Sequence, residues 1–186
     1  MKRTISFIAI CAMLISLAIA YSSEAQSDTK QKSDAQRTAQ HEARQQKRAE
    51  RLAAYQRHID SLVLSHNFKF MPQTMQQLPA GIMRNLTNPN YEVTVWSDAV
   101  DVCIPFLKGY TPPYYPVVFN YVLPSVQNYY AEQTNDGWNV TFKSTMFSAT
   151  DYTFNFEIYS HYGGAMLTIS SPFYNSVQYT GNIIGI

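Results

Sequence analysis

Asn135-Asp136-Gly137-Trp138-Asn139-Val140-Thr141-Phe142-Lys143 is the stretch on which the fold turns. Asn, Asp and Gly tolerate positive φ, so the first three residues make a tight turn. After it Trp138, Val140 and Phe142 point one way, while Asn139, Thr141 and Lys143 point the other, the period of a half-buried strand. The same alternation returns downstream, where Tyr152, Phe154, Phe156 and Ile158 oppose Thr153, Asn155 and Glu157. Tyr162-Gly163-Gly164 turns the chain again, Ala165, Leu167 and Ile169 form the next apolar face, and Val177, Tyr179 and Gly181 close the series.

Upstream, Phe68 and Phe70 alternate before Pro72, and Tyr91, Val93 and Val95 form another run. Ser97-Asp98 turns into Val100, Val102 and Ile104, and Val117 to Tyr121 and Val126 to Glu132 follow. Successive hairpins with one apolar face predict an antiparallel meander whose other face is wet or covered by a helix. The sheet curls into a barrel or folds as a sandwich; spacing does not separate the two.

Residues 26–66 differ in kind. They hold no Pro and no Gly, and carry 8 basic against 5 acidic residues. That composition is a solvated helix. To about Arg44 its only apolar face is alanine, so this part is expected to fray or stay disordered. Further on, Leu52, Tyr55, Ile59, Leu62 and Val63 recur at three- and four-residue spacing and predict one apolar stripe covering the sheet. The expected fold is therefore α+β, mainly β: an N-terminal amphipathic helix, then a curled antiparallel meander. The basic cluster from Arg44 to Arg57 reads as a solvated outer face.

The N-terminus has the pattern of a secretory signal. Lys2 and Arg3 precede an uncharged, mostly apolar run from Ile5 to Ala20, and small residues follow at Ser23 and Ala25. Cleavage after Ala25 is expected, with Ala20 as the rival position, and the run is short for an uncleaved membrane span. A lipoprotein cut at Cys11 is disfavoured because Ile10 precedes it. The expected organisation is 1–25 signal, 26–46 charged linker, and 47–186 one helix-plus-β domain. Without residues 1–25, Cys103 is the sole thiol, so no intrachain disulfide is available. As a lone strand cysteine it reads as a small buried hydrophobe.

The 186 residues balance 14 Lys and Arg against 13 Asp and Glu, which argues against a protein that holds nucleic acid by bulk charge. Neutrality is a cancellation, since residues 67–186 carry 4 basic and 7 acidic residues against the surplus of bases in the helix.

Signals for catalysis are sparse. His41, His58, His66 and His161 have no spacing typical of zinc ligands, and no phosphate-cradling or dinucleotide Gly motif is present. No cofactor is expected. A Cys103–His161 pair oriented by Asp151 would make a nucleophile. Two acids converging in a cleft would make a hydrolase. Asp98, Asp136 and Asp151 instead read as turn residues. The stronger candidate is Lys108-Gly109-Tyr110-Thr111-Pro112-Pro113-Tyr114-Tyr115-Pro116, where prolines stiffen the backbone. Tyr110, Tyr114 and Tyr115 would then offer broad amphipathic faces to a sugar or peptide. The same tyrosines could instead seal the sheet edge or a barrel end.

Several of these segments carry a family pattern. Asn67-Phe68-Lys69-Phe70 follows the charged helix; Pro72, Gly81, Asn85-Leu86-Thr87 and Tyr91-Glu92-Val93 come next. Ile104-Pro105-Phe106, Tyr110, Pro112-Pro113-Tyr114 and Asp151-Tyr152-Thr153-Phe154 follow in order. Leu167-Thr168-Ile169-Ser170-Ser171 and Val177-Gln178-Tyr179-Thr180-Gly181 finish it. From about Arg57 to Asn182 this resembles the DUF4251 family, small exported proteins of Gram-negative bacteria with no assigned function. The chain departs from that pattern at Cys103, where the family has an aromatic, and at Leu107-Lys108-Gly109, where its Gly and Arg are displaced or lost. The resemblance implies the fold and export, and brings no catalytic residue.

The sequence thus predicts an exported, periplasmic or surface-associated protein that binds a glycan, a peptide or an envelope component rather than catalysing a reaction. It predicts no nucleic-acid partner and no transmembrane span once the signal is removed. The alternatives are an enzyme whose cleft only the fold assembles, and a barrel that carries an apolar small molecule.

Overall fold

The computed structural model of the protein describes residues 36–108, 115–124, 126–146 and 150–186. Helix α1 spans 36–64, and ten strands follow it. The first five are β1 (Phe68–Gln77), β2 (Arg84–Asn85), β3 (Glu92–Val95), β4 (Val100–Lys108) and β5 (Tyr115–Leu123). The second five are β6 (Gln127–Gln133), β7 (Gly137–Met146), β8 (Thr150–Tyr159), β9 (Gly164–Ser171) and β10 (Tyr174–Gly185). A compact unit runs from Leu52 to Ile186; residues 36–51 belong to a separate unit and are exposed throughout. The signal segment and the first part of the linker lie outside the described residues.

All pairing is antiparallel, in the order β5-β4-β3-β1-β10-β9-β8-β7-β6, with the short β2 attached to β1. Two meanders, β1-β3-β4-β5 and β6 to β10, are therefore joined along one line, where β1 pairs with β10. The alternation read from the sequence sets the inner face. Phe68, Phe70, Val93, Val102, Ile104, Phe106, Phe142, Phe154, Phe156 and Leu167 are fully buried. Rings from remote strands meet across it: Phe106 on β4 and Phe119 on β5 lie 6.1 and 5.4 Å from Tyr152 on β8. The sheet thus curls upon itself as a half-barrel. It stays open between β5 and β6, which are consecutive in the chain yet sit at opposite ends of the strand order. Each such buried Phe stabilises the fold by about 1.5–3 kcal/mol relative to exposure.

The last turns of α1 cover this core. Ile59 and Val63 are buried, Leu62 is half-buried, and Tyr129 donates its hydroxyl to the Val63 carbonyl at 3.1 Å. Leu52 and Tyr55 extend the predicted stripe but remain 51 % and 38 % exposed, so the covering face is shorter than the periodicity suggests. The helix ends in a left-handed cap. His66 has φ 53°, its N–H reaches the Val63 carbonyl at 3.2 Å, and the Asn67 N–H reaches Leu62 at 3.1 Å. This pair of bonds satisfies carbonyls that a helix end leaves free. The His66 ring stacks on Tyr129 with centroids 3.6 Å apart, and burial there lowers its pKa.

Prolines inside strands have positional reasons. β3 pairs with β4 only as far as Glu92 opposite Cys103, so from Ile104 onward β4 has no strand on that side. Pro105, which has no N–H to give, lies just past this end, and its carbonyl accepts the Tyr179 hydroxyl at 2.6 Å from β10. Tyr179 is fully buried, which pushes its pKa well up. Pro72 similarly sits at a bulge, where the β1–β10 register passes from Pro72–Gly181 to Thr74–Thr180 and leaves Gln73 as the extra residue. Gly181 is required there, because a Cβ would run into the Met71 carbonyl oxygen.

Two expectations need correction. Cys103 does not point into the core. Val102 and Ile104 occupy the inner positions, so strand parity turns Cys103 outward, half-buried and opposite Glu92 and Asn120. Asp151 is not in a turn but in β8, where it accepts the Thr145 hydroxyl at 2.7 Å.

Gly181→Ala should destabilise the protein by about 1–3 kcal/mol, seen as a lower denaturant midpoint, because the Met71 backbone must shift. A midpoint equal to that of the parent would remove the close approach from the account. For His66 the folded pKa lies below the unfolded value, so the unfolded chain takes up the proton first as pH falls. Stability should therefore drop as the pH is lowered through about 6.5, and His66→Asn, which keeps a left-handed cap, should flatten that drop. An unchanged pH profile in the variant would contradict this origin.

Candidate functional site

The β1 bulge and the end of β3 together create an open hollow. Gln73, the extra residue of the bulge, gives its carbonyl to the Leu86 N–H at 2.8 Å and so anchors the segment 86–91 against β1. Within that segment Asn88 accepts the Asn90 N–H on its side chain at 3.0 Å and the Tyr91 N–H on its carbonyl at 3.3 Å. This turn leaves Asn88 exposed, while Tyr91 is half-buried and packs against the edge of the core. On one flank, between β1 and the unaccompanied half of β4, lies an open hollow of about 300 Å³. Arg84, Asn85, Asn88 and Tyr91 supply its polar groups; Met75 and Pro116 contribute apolar walls. Among the described residues no carboxylate pairs with Arg84, whereas Lys69 is held by Glu92 at 2.9 Å. The hollow can accept hydrogen-bonding ligands and offer an aromatic face, and among the described residues its lining includes no carboxylate and no cysteine.

The tyrosines favoured from the sequence can be placed only in part. Tyr110 and Tyr114 lie outside the described residues. Tyr115 opens β5 opposite Lys108, so the proline-rich segment 109–114 is the connection of the β4–β5 hairpin. The side chain of Tyr115 is outside the description. Leu107 and Pro116, on the two arms of that hairpin, both line the hollow. Arg84 and Asn88 carried no sequence signal beyond a cluster of turn residues, Asn85 to Asn90.

A second, polar hollow of about 150 Å³ lies between α1 and the β6–β7 and β8–β9 turns, with Asp60, Asp136 and His161 on its walls. Four of its polar side chains are tied up in hydrogen bonds within the fold. Trp138 Nε1 donates to Asp60 Oδ1 at 2.7 Å, the Ser160 hydroxyl reaches the same oxygen at 3.4 Å, and Gln56 bonds His161 Nδ1 at 2.7 Å. Cys103, His161 and Asp151 are not brought together. Four strands separate β4 from β8 in the sheet order, and the partners of Asp151 and His161 are Thr145 and Gln56. Among the described residues no group of His, Cys, Asp or Glu is arranged to hold a metal ion, and no helix is long and apolar enough to cross a membrane.

No curated protein matches the chain. A crystal structure of a DUF4251 family protein from Bacteroides eggerthii is similar to it, with 15 % identity and a TM-score of 0.56 over 72 % of this chain and 89 % of that one. At that identity the likeness is one of fold. The family model for DUF4251, a domain of unknown function, matches residues 50–183, which takes in the covering turns of the helix and nearly the whole sheet, and the chain belongs to that family.

Proposed function

We propose that the protein is exported and acts as a non-catalytic binding module for an extracellular or envelope ligand, a glycan or a peptide. The observation that carries this reading is the contrast between inside and outside. The inner face is filled by rings such as Phe106, Phe119, Phe142 and Tyr152, each under 2 % exposed, which leaves little room for an apolar cargo. The hollow beside Arg84, Asn88 and Tyr91 instead opens to the surface at the rim of that core, with Phe106 among its walls beside Leu107 and Pro116 of the β4–β5 hairpin. Export rests on the Lys2-Arg3 start, the apolar run and the small residues before Gln26.

The hydrolase reading would have to draw on Asp60 and Asp136. The hydrogen bonds of Asp60 already hold α1 to β7 and the β8–β9 turn, which makes it a docking residue.

The test is a glycan and peptide binding screen of the secreted product, whose N-terminus should be Gln26. Binding should weaken by about tenfold in Tyr91→Ala and in the Tyr114→Ala, Tyr115→Ala pair, the scale of one lost aromatic contact. Binding indifferent to both variants, or turnover of a screened compound, would overturn the proposal.

A further inference from the structure

The hollow beside Arg84, whose walls include the core side chains Met75 and Phe106, opens at the rim of the inner face and adjoins two others on the outer face. Across the 86–91 segment lies a second, of about 320 Å³, which shares Thr87, Asn88 and Tyr91 with the first and reaches Gln73 and Asn182. A third, of about 330 Å³, starts at the same Gln73 and Asn182 and ends at Tyr159 and Tyr162. The row therefore runs from β4 across β1 and β10 to β9. That is about four inter-strand spacings, roughly 19 Å, on the order of four units of a linear sugar chain.

The lining mixes apolar walls, such as Met71, Leu86, Ile184 and Met166, with polar groups that are almost all neutral. Asn88, Gln73 and Asn182 bring side-chain amides, which both donate and accept, and Thr87 and Thr180 bring hydroxyls. Aromatic rings stand at two stations, Tyr91 near one end and Tyr162 at the other. Tyr162 is stacked on Tyr159 at 5.5 Å and still 64 % exposed. Arg84, at one end, is the sole charged side chain on the row among the described residues. A polyanion would find one cation there. A peptide strand adds to a sheet through a free edge; the half of β4 from Ile104 onward offers a short one at one end of the row, while β1, β10 and β9, which carry the rest of it, are paired on both sides. Sugar rings suit what remains, with apolar C–H faces for the tyrosines and hydroxyls for the amides.

We infer that the row is a binding face for a linear, uncharged oligosaccharide, each hollow taking part of the chain. This rests on the binding-module reading and specifies its ligand class.

The purified full chain is titrated calorimetrically with cello-, malto-, xylo- and β-1,3-linked gluco-oligosaccharides from dimers to octamers, alongside polygalacturonate and a random peptide library. For at least one neutral series, affinity should rise with length and level off at about four or five units. Tyr91→Ala and Tyr162→Ala, at the two stations, should each lower affinity for the long chains by about five- to tenfold. Thermal melts confirm that both variants fold. Affinity that does not grow with length, indifference to both substitutions, or preference for polygalacturonate would overturn the inference. Peptide binding that falls in Tyr91→Ala, with no neutral sugar bound, would overturn it and leave the binding-module reading standing. Absence of all binding would overturn both.

Discussion

The pairing of β1 with β10 is the interaction on which the rest of the structure depends. Each meander is built from neighbours in sequence and can form locally, but neither encloses a core alone. Joining the first strand to the last brings Phe68 and Phe70 to within ring contact of Phe156 and aligns both inner faces. The join needs Gly181, since any side chain there would meet the Met71 carbonyl. It also needs the bulge at Gln73, which lets a strand containing Pro72 stay in register on either side.

The same devices that close the fold shape its outer surface. The bulge turns Gln73 outward and leaves its carbonyl to hold the 86–91 segment, so the ridge carrying Asn88 and Tyr91 is a by-product of the seam. The early end of β3 opens the space beside β4, and the buried Tyr179 hydroxyl donates to the Pro105 carbonyl at that opening. A buried carbonyl left unpaired would cost about 1–3 kcal/mol, so this tie keeps the break in the ladder tolerable. With the inner face occupied by aromatic side chains, the surface over the seam is where a ligand has room.

Much of this was legible in the sequence, and what was missed has physical reasons. Hairpins such as Trp138–Phe142 with Tyr152–Ile158 announce themselves, because a turn and two alternating runs are local signals. The partnership of β1 and β10 is not local, and nothing in Phe68 to Phe70 names Val177 to Gly181 as its complement. The alternation of Phe68 and Phe70 is legible only up to Pro72, and only the bulge explains how β1 passes through that proline. Cys103 was misjudged despite a plain clue: the alternation of Val100, Val102 and Ile104 already placed it on the outer face, and the aromatic expected there in relatives obscured that parity. The hollows were not legible, since Gln73, Arg84 and Asn88, though near in sequence, are brought together by the bulge and the 86–91 turn, and Asn182 joins Gln73 only across the seam.

Hydrogen exchange of the full chain tests the central claim most directly. If the β1–β10 pairing holds the two meanders together, the amides of Phe70 and Met71 on β1 and of Val177 to Tyr179 on β10 should open only with global unfolding. Their exchange should then be as slow as that of any in the protein. Faster, local exchange along this seam, with β7 and β8 still protected, would show that each meander stands without the other and would contradict the account.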